Sequence, residues 1–265
     1  MSIIEAVLLG IVQGLTEFIP VSSSGHLVLS QELFGISGGG LRFDVALHIG
    51  TLLALLVYFA RDIVDVTRGF LKGGEQARLG KILLYGTIPA AIIGYFLQDI
   101  VETGLRNAYL VVVNLALVGL VMLYAEHRAS KTPPHTDISE VTVRQSVAIG
   151  FAQAAALIPG VSRSGATITL GLLLGIKRVA ATRFSFLLAI PITLGAITKT
   201  IVIDSQPVSN GGDSFLLLAG VFEAFVSGVF AIRFLLQFLA RHSLKVFAYY
   251  RLGFAGLVLA VLLAR

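Results

Sequence analysis

The chain has 265 residues, 56% of them hydrophobic and only 13% charged, with a mean hydropathy of +0.89. A soluble domain of that length needs far more polar surface, so the apolar excess has to face lipid. The net charge of +5 and pI of 9.6 would suit nucleic acid, but the basic residues sit in short loops between apolar runs. Membrane topology accounts for them, and no nucleic-acid partner is expected. With no cysteine in the chain, disulfides, thiol catalysis and thiolate metal sites are excluded.

The chain opens on an apolar run at residues 3–19. It lacks a basic leader, carries Glu5, Gln13 and Glu17, and has no small-residue cleavage site, so a cleaved signal peptide is not expected. Pro20 interrupts it, and a second short run follows at 22–34. Together, over about 3–35, they predict a re-entrant helical hairpin that dips into the membrane and returns. Three spans are predicted next, at 43–60, 82–97 and 109–125. The middle one is short against the roughly 17–25 residues that crossing takes, and must borrow a turn from its flanks. A polar, proline-containing stretch at 129–140 reads as a linker. Beyond it, runs at 147–158 and 162–175, broken by Pro159-Gly160, predict a second hairpin at about 147–175. Spans at 179–203, 215–239 and 246–264 complete the chain.

This order repeats itself. Val21-Ser22-Ser23-Ser24-Gly25 matches Val161-Ser162-Arg163-Ser164-Gly165, and Gln13 matches Gln153. Weaker matches pair Gly86 with Gly220 and Gly119 with Gly256. The halves are therefore 1–128 and 141–265. Three spans per half is an odd number, which inverts the second half relative to the first. The fold class predicted is an all-α integral membrane protein of two inverted-topology repeats, each a re-entrant hairpin plus three transmembrane helices. Under this plan Arg42, Arg106, Lys199 and Arg265 fall on one side and Arg163 and Arg251 at membrane depth. That leaves fourteen of the 20 basic residues on the other side. The bias places those fourteen in the cytoplasm and both termini outside a cell membrane.

Ionisable groups at membrane depth are costly and point to function. Arg163 lies among serines and a glycine at the start of a half-helix, where free N–H groups and the helix dipole favour an anion. Its guanidinium suits a bidentate grip on phosphate oxygens. The bland alternative is an arginine snorkelling to an interface. Ser22, Ser24 and Gly25, with Ser162, Ser164, Gly165 and Thr167, would line such a pocket from two half-helix starts, although simple capping explains some of these serines. His26 lies three residues from Ser23 and four from Ser22, on one helical face. Gln13 and Glu17 share a face of the preceding half-helix. A carboxylate in an anion pocket is repulsive unless neutralised, and a divalent cation held by Glu17 and the Gln13 carbonyl would resolve that. Otherwise the two merely satisfy broken backbone. His48 and Glu223 read as helix-packing polar groups, Arg251 as a brace for the pocket or a partner for Tyr249-Tyr250, and Arg233 as interfacial.

The stretches Gln13-Gly14-Leu15-Thr16-Glu17-Phe18-Ile19-Pro20-Val21-Ser22-Ser23-Ser24-Gly25-His26 and Pro159-Gly160-Val161-Ser162-Arg163-Ser164-Gly165-Ala166-Thr167 closely resemble the two signatures of the undecaprenyl-diphosphate phosphatase, or bacitracin-resistance protein, family. The resemblance extends over essentially the whole chain. It implies Mg²⁺- or Ca²⁺-assisted removal of the terminal phosphate from a polyprenyl diphosphate in the membrane. That reaction would recycle the lipid carrier for peptidoglycan and other cell-wall synthesis and confer bacitracin resistance. It further implies that Glu17, Ser23, His26 and Arg163 carry the activity. The family's first signature opens on Glu or Gln; Gln13 here removes one possible carboxylate ligand.

Three routes remain open for the attacking group: Ser23 with His26 as base, His26 itself, or water activated by His26. A polyprenyl-phosphate flippase would use the same anion pocket without a nucleophile or metal. Whether the chain pairs as a homodimer is also left open.

Overall fold

The structure, a computed structural model, describes residues 1–34, 40–104, 107–203 and 214–264. Among these residues it is all-helical, with a single isolated β-bridge between Thr136 and Ile176. Five helices are long and apolar enough to cross a membrane, or six if one bent pair counts as a span.

The first hairpin is built from α1, Ile3–Phe18, and α2, Ser23–Phe34. Ser2 and Glu5 start α1 with a reciprocal capping box, Oγ accepting from one backbone N–H and the carboxylate from the other. Pro20, which has no N–H to donate, stops it. At 16 and 12 residues both helices are too short to cross about 30 Å of hydrocarbon. Next, α3, Gly40–Tyr58, turns by 72° into α4, Ala60–Lys72. The sequence reading ends a span at 60 and leaves these residues as loop. In fact they form an amphipathic helix packed on its successor, with Phe70 and Val66 against Gly80.

That successor, α5, runs Glu75–Gly104, so the span that looks short at 82–97 takes length from both flanks. Helix α6, Ala108–Lys131, likewise outlasts its predicted end at 125 and takes in the first three residues of the predicted linker. What remains of the linker is tied down. His135 and Thr136 donate to the Gly175 carbonyl, and Arg78 donates to the Ser139, Glu140 and Val141 carbonyls. The Ile138 N–H, and then Lys177, hold the Asp137 carboxyl below its ordinary range.

The second hairpin pairs α7, Val143–Ala155, with α8, Arg163–Leu173. Long helices follow as α9, Arg178–Thr198 with a π-helical turn through Ile203, then α10, Ser214–Leu239, and α11, Lys245–Ala264. The connection between the predicted spans 179–203 and 215–239 falls almost wholly outside the described residues.

Packing of the short helices is crossed. The first half-helix, α1, lies along α10, and α7 lies along α5. Both contacts need glycine. A β-carbon on Gly10 would stand 2.5 Å from the Gly220 carbonyl oxygen, and one on Gly150 would stand 2.2 Å from that of Gly86. Those distances are far inside van der Waals contact, so backbone meets backbone at both places, as small-residue stripes allow in membranes.

Candidate active site

The breaks in the two hairpins have the same local form. Ser22 and Ser162 precede α2 and α8 with φ of +78° and +75°, a region that serine rarely enters. In each, the serine Oγ accepts from a glycine N–H three residues on, Gly25 at 3.3 Å and Gly165 at 3.1 Å. Each also shares a hydrogen bond with the serine two residues on, Ser24 at 3.4 Å and Ser164 at 3.3 Å. Strain of this kind costs on the order of 1–3 kcal/mol and gathers at functional sites.

One side chain spans both breaks. Arg251 of α11 is fully buried and donates to five backbone carbonyls, those of Pro20, Asn114, Leu115, Gly160 and Val161. This is the brace the sequence suggests. Its partners are carbonyls from three separate segments.

Beside the breaks lies a cavity of about 280 Å³. Its wall includes Glu17, Ser23, Ser24, Ser162 and Arg163 from the sequence candidates. Glu17 is the hub. One carboxylate oxygen takes the Arg163 guanidinium, and the other accepts from Ser23 Oγ at 2.5 Å and from Gln13 Nε2 at 3.1 Å. Arg163 spends its other terminal nitrogen on Thr193 Oγ1 at 2.6 Å and the Ala189 carbonyl at 3.3 Å. Its fork is thus held from both sides, with one nitrogen on the carboxylate. Thr193 on α9 is a site residue the sequence reading misses; the one available signal is a hydroxyl two residues past Pro191 in an apolar span.

The remaining candidates stand behind this wall. Thr167 turns its hydroxyl to the Arg163 carbonyl at 2.7 Å and to Ser185 at 2.6 Å, away from the cavity. Ser22, Gly25, Ser164 and Gly165 shape the breaks but are not in the wall.

His26 is the clearest departure. The sequence puts it on one helical face with Ser22 and Ser23, available as base or nucleophile. Here it faces α11. Nδ1 donates to the Ser22 carbonyl at 2.8 Å, Nε2 accepts from the Tyr250 hydroxyl at 2.8 Å, and the ring stacks on Phe254 at 4.5 Å. Both nitrogens are occupied, and His26 is not part of the cavity wall. The imidazole in the wall belongs to His48, expected only to pack. Its Nδ1 donates to the Asp44 carbonyl at 2.7 Å, and its Nε2 stands 3.7 Å from the second Glu17 oxygen.

A divalent cation has a limited donor set here. Arg163 meets the Glu17 charge directly, so the repulsion that suggests a cation in the sequence is relieved without one. Gln13 argues the other way. It is wholly buried, and its Oε1 has no hydrogen-bond partner within the protein. An unpaired carbonyl oxygen beside a carboxylate is the hard oxygen chemistry that Mg²⁺ and Ca²⁺ take. No group of three acidic, histidine or cysteine side chains stands together among the described residues, so substrate oxygens would have to complete the coordination.

With this geometry in view, the comparisons with known proteins decide the lineage. A family model described as bacitracin resistance protein BacA matches residues 6–257. The chain belongs to the BacA family. Its relatives match end to end. A protein of Rubrobacter xylanophilus is 48% identical over 274 residues, covering 99% of each chain. One from Caldicellulosiruptor bescii is 43% identical, covering 100% of this chain and 99% of its own, and one from Desulforudis audaxviator is 46% identical, covering 97% and 98%. All three are named undecaprenyl-diphosphatase. Both signature stretches lie inside the part matched by the BacA model.

Proposed function

We propose that this chain is a membrane-embedded phosphatase that hydrolyses undecaprenyl diphosphate to the monophosphate and inorganic phosphate, recycling the carrier lipid for cell-wall synthesis. The observation that carries this reading is the Ser23–Glu17 hydrogen bond of 2.5 Å, with Arg163 on the other carboxylate oxygen. It joins a hydroxyl nucleophile, a proton acceptor and a phosphate-binding cation in one wall. Ser23 Oγ attacks the terminal phosphorus and gives its proton to Glu17, and the bridging P–O bond breaks to release the lipid monophosphate. Water then hydrolyses the phosphoserine. Arg163 and the N–H groups at the starts of α2 and α8 offset the charge that builds on the phosphoryl oxygens. His26 serves as a positioning residue, holding Ser22 and through it the turn that presents Ser23. A cation held by Glu17 and Gln13 would supply further neutralisation of the diphosphate. The flippase reading gains no support, because the relatives are named as hydrolases.

Phosphate release from undecaprenyl or farnesyl diphosphate by the purified chain in detergent tests this. Wild type should turn over and lose most activity in chelator, with Mg²⁺ or Ca²⁺ restoring it. Ser23→Ala should lose at least about 10³-fold in kcat. A Ser23→Ala enzyme within tenfold of wild type would remove Ser23 as nucleophile.

The same reading makes the fold two inverted-topology repeats, 1–128 and 141–265, with both termini outside the cell membrane. The crossed packing of α1 on α10 and α7 on α5, and the paired serine turns, support the repeat. That the basic loops and helix ends share one face is supported by the ion pairs Arg183–Asp62, Lys177–Asp137 and Arg178–Glu126, and the bias of basic residues makes that face the cytoplasmic one. A cysteine at Gly73 should be protected from an impermeant maleimide in intact cells and react after permeabilisation. Labelling in intact cells would reverse the orientation.

A further inference from the structure

Gln153 lines the same cavity as Ser23 and Arg163, yet only 3% of its surface is exposed. Neither its Oε1 nor its Nε2 has a hydrogen-bond partner within the protein. Leaving a buried amide unpaired is costly, and native folds seldom tolerate it without a reason. The equivalent glutamine in the first hairpin shows where its N–H groups would ordinarily go. Gln13 donates Nε2 to Glu17, four residues on along α1. Four residues beyond Gln153 stands Leu157, which offers no acceptor and is itself part of the cavity wall. The second hairpin thus keeps the amide and drops the carboxylate that would have consumed it. Two N–H donors are left in the wall of a cavity where Arg163 and the paired half-helix starts favour an anion, and where Glu17 and Asp44 are the carboxylates that anion has to avoid.

We propose that Gln153 is a substrate-binding residue that donates its amide N–H to a non-bridging phosphate oxygen of the diphosphate. The inference rests on the diphosphatase reading above and adds to it a second-repeat side chain that neither signature stretch contains. Glutamine suits the task. A neutral donor adds no charge to the buried wall and no competitor for Glu17, whereas a second cation would draw Glu17 away from Arg163. The carbonyl end, Oε1, is left to accept from water entering with the substrate.

The test uses the full-length chain in detergent, with three variants and two readouts. Gln153→Leu removes both unpaired atoms at nearly constant volume, so its melting temperature should equal or exceed that of wild type. Its KM for farnesyl diphosphate should rise about 10- to 100-fold, the range for a hydrogen bond to a charged group. Stabilisation of wild type by inorganic pyrophosphate, read as a thermal shift, should be lost in Gln153→Leu. Gln153→Glu, which sets a like charge against the phosphate, should bind pyrophosphate more weakly still. An unchanged KM and an unchanged pyrophosphate shift in Gln153→Leu would mean that Gln153 pairs only with water, and would overturn the proposal. So would a fall in melting temperature shared by Gln153→Leu and Gln153→Met, which would assign Gln153 to the fold. A wild-type chain that releases no phosphate would sink the diphosphatase reading instead, while the pyrophosphate shift still reports on Gln153.

Discussion

Arg163→Lys is expected to lower kcat/KM for a lipid diphosphate by about 10²–10³-fold while the protein still inserts and folds. The reason lies in the fork. Arg163 reaches Glu17 with one terminal nitrogen and Thr193 and the Ala189 carbonyl with the other. A lysine ammonium is a point charge on a flexible stem, so it can neutralise Glu17 or reach Thr193, but it cannot fix a plane between them. Keeping the charge protects folding, because the buried Glu17 carboxylate still has a cation beside it. Arg163→Met separates the two effects. It removes the charge and should also destabilise the chain, by about 3–5 kcal/mol for an abandoned buried ion. Steady-state kinetics and thermal melting on both variants check the pair. A lysine variant within tenfold of wild type would show that charge alone suffices.

Arg251→Leu should fail earlier, at the level of the folded protein. Five carbonyls from the first break, from α6 and from the second break converge on this one guanidinium. The Asn114 and Leu115 carbonyls keep their helical partners in α6, but those of Pro20, Gly160 and Val161 would be left unpaired at about 1–3 kcal/mol each, a sum that reaches into the 5–15 kcal/mol by which a typical protein is stable. Lysine is no remedy, since a single nitrogen cannot reach three segments at once. The variant should extract poorly, run as aggregate on size exclusion and lose a cooperative melt. A monodisperse Arg251→Leu protein melting within a few degrees of wild type would show that the breaks hold their shape without the clamp.

Much of the site is legible in the sequence because its chemistry is local. Gln13, Glu17 and Ser23 lie within eleven residues of chain, and the paired serine-glycine turns repeat their spacing in both halves. Helical spacing says which residues share a face but not what that face meets. His26 shows the limit. Its direction is set by Tyr250 and Phe254, more than 220 residues away. The same limit hides Thr193, which reaches Arg163 from another helix, and the place of His48 beside Glu17. Helix α4 is missed for a different reason. Its three basic and two acidic residues lower the average hydropathy, and Ile63, Val66 and Phe70 show as an apolar face only when read at helical period.

The crossed packing also sets a timetable. The glycine notch that α1 presents at Gly10 is filled by the backbone of α10 around Gly220, and the ribosome makes α10 roughly 200 residues later, a wait of about 10–40 s at ordinary rates of synthesis. Through that interval the first half-helix, with Glu17 near its end, sits in or beside the bilayer without its lasting neighbour. Something has to shelter it, whether the translocation machinery or α2 and α3, which are synthesised next and touch the same helix in the finished protein. Fragments ending before α10 should therefore be poor stand-ins for half of the molecule, since their first hairpin would never receive the surface against which it is shaped.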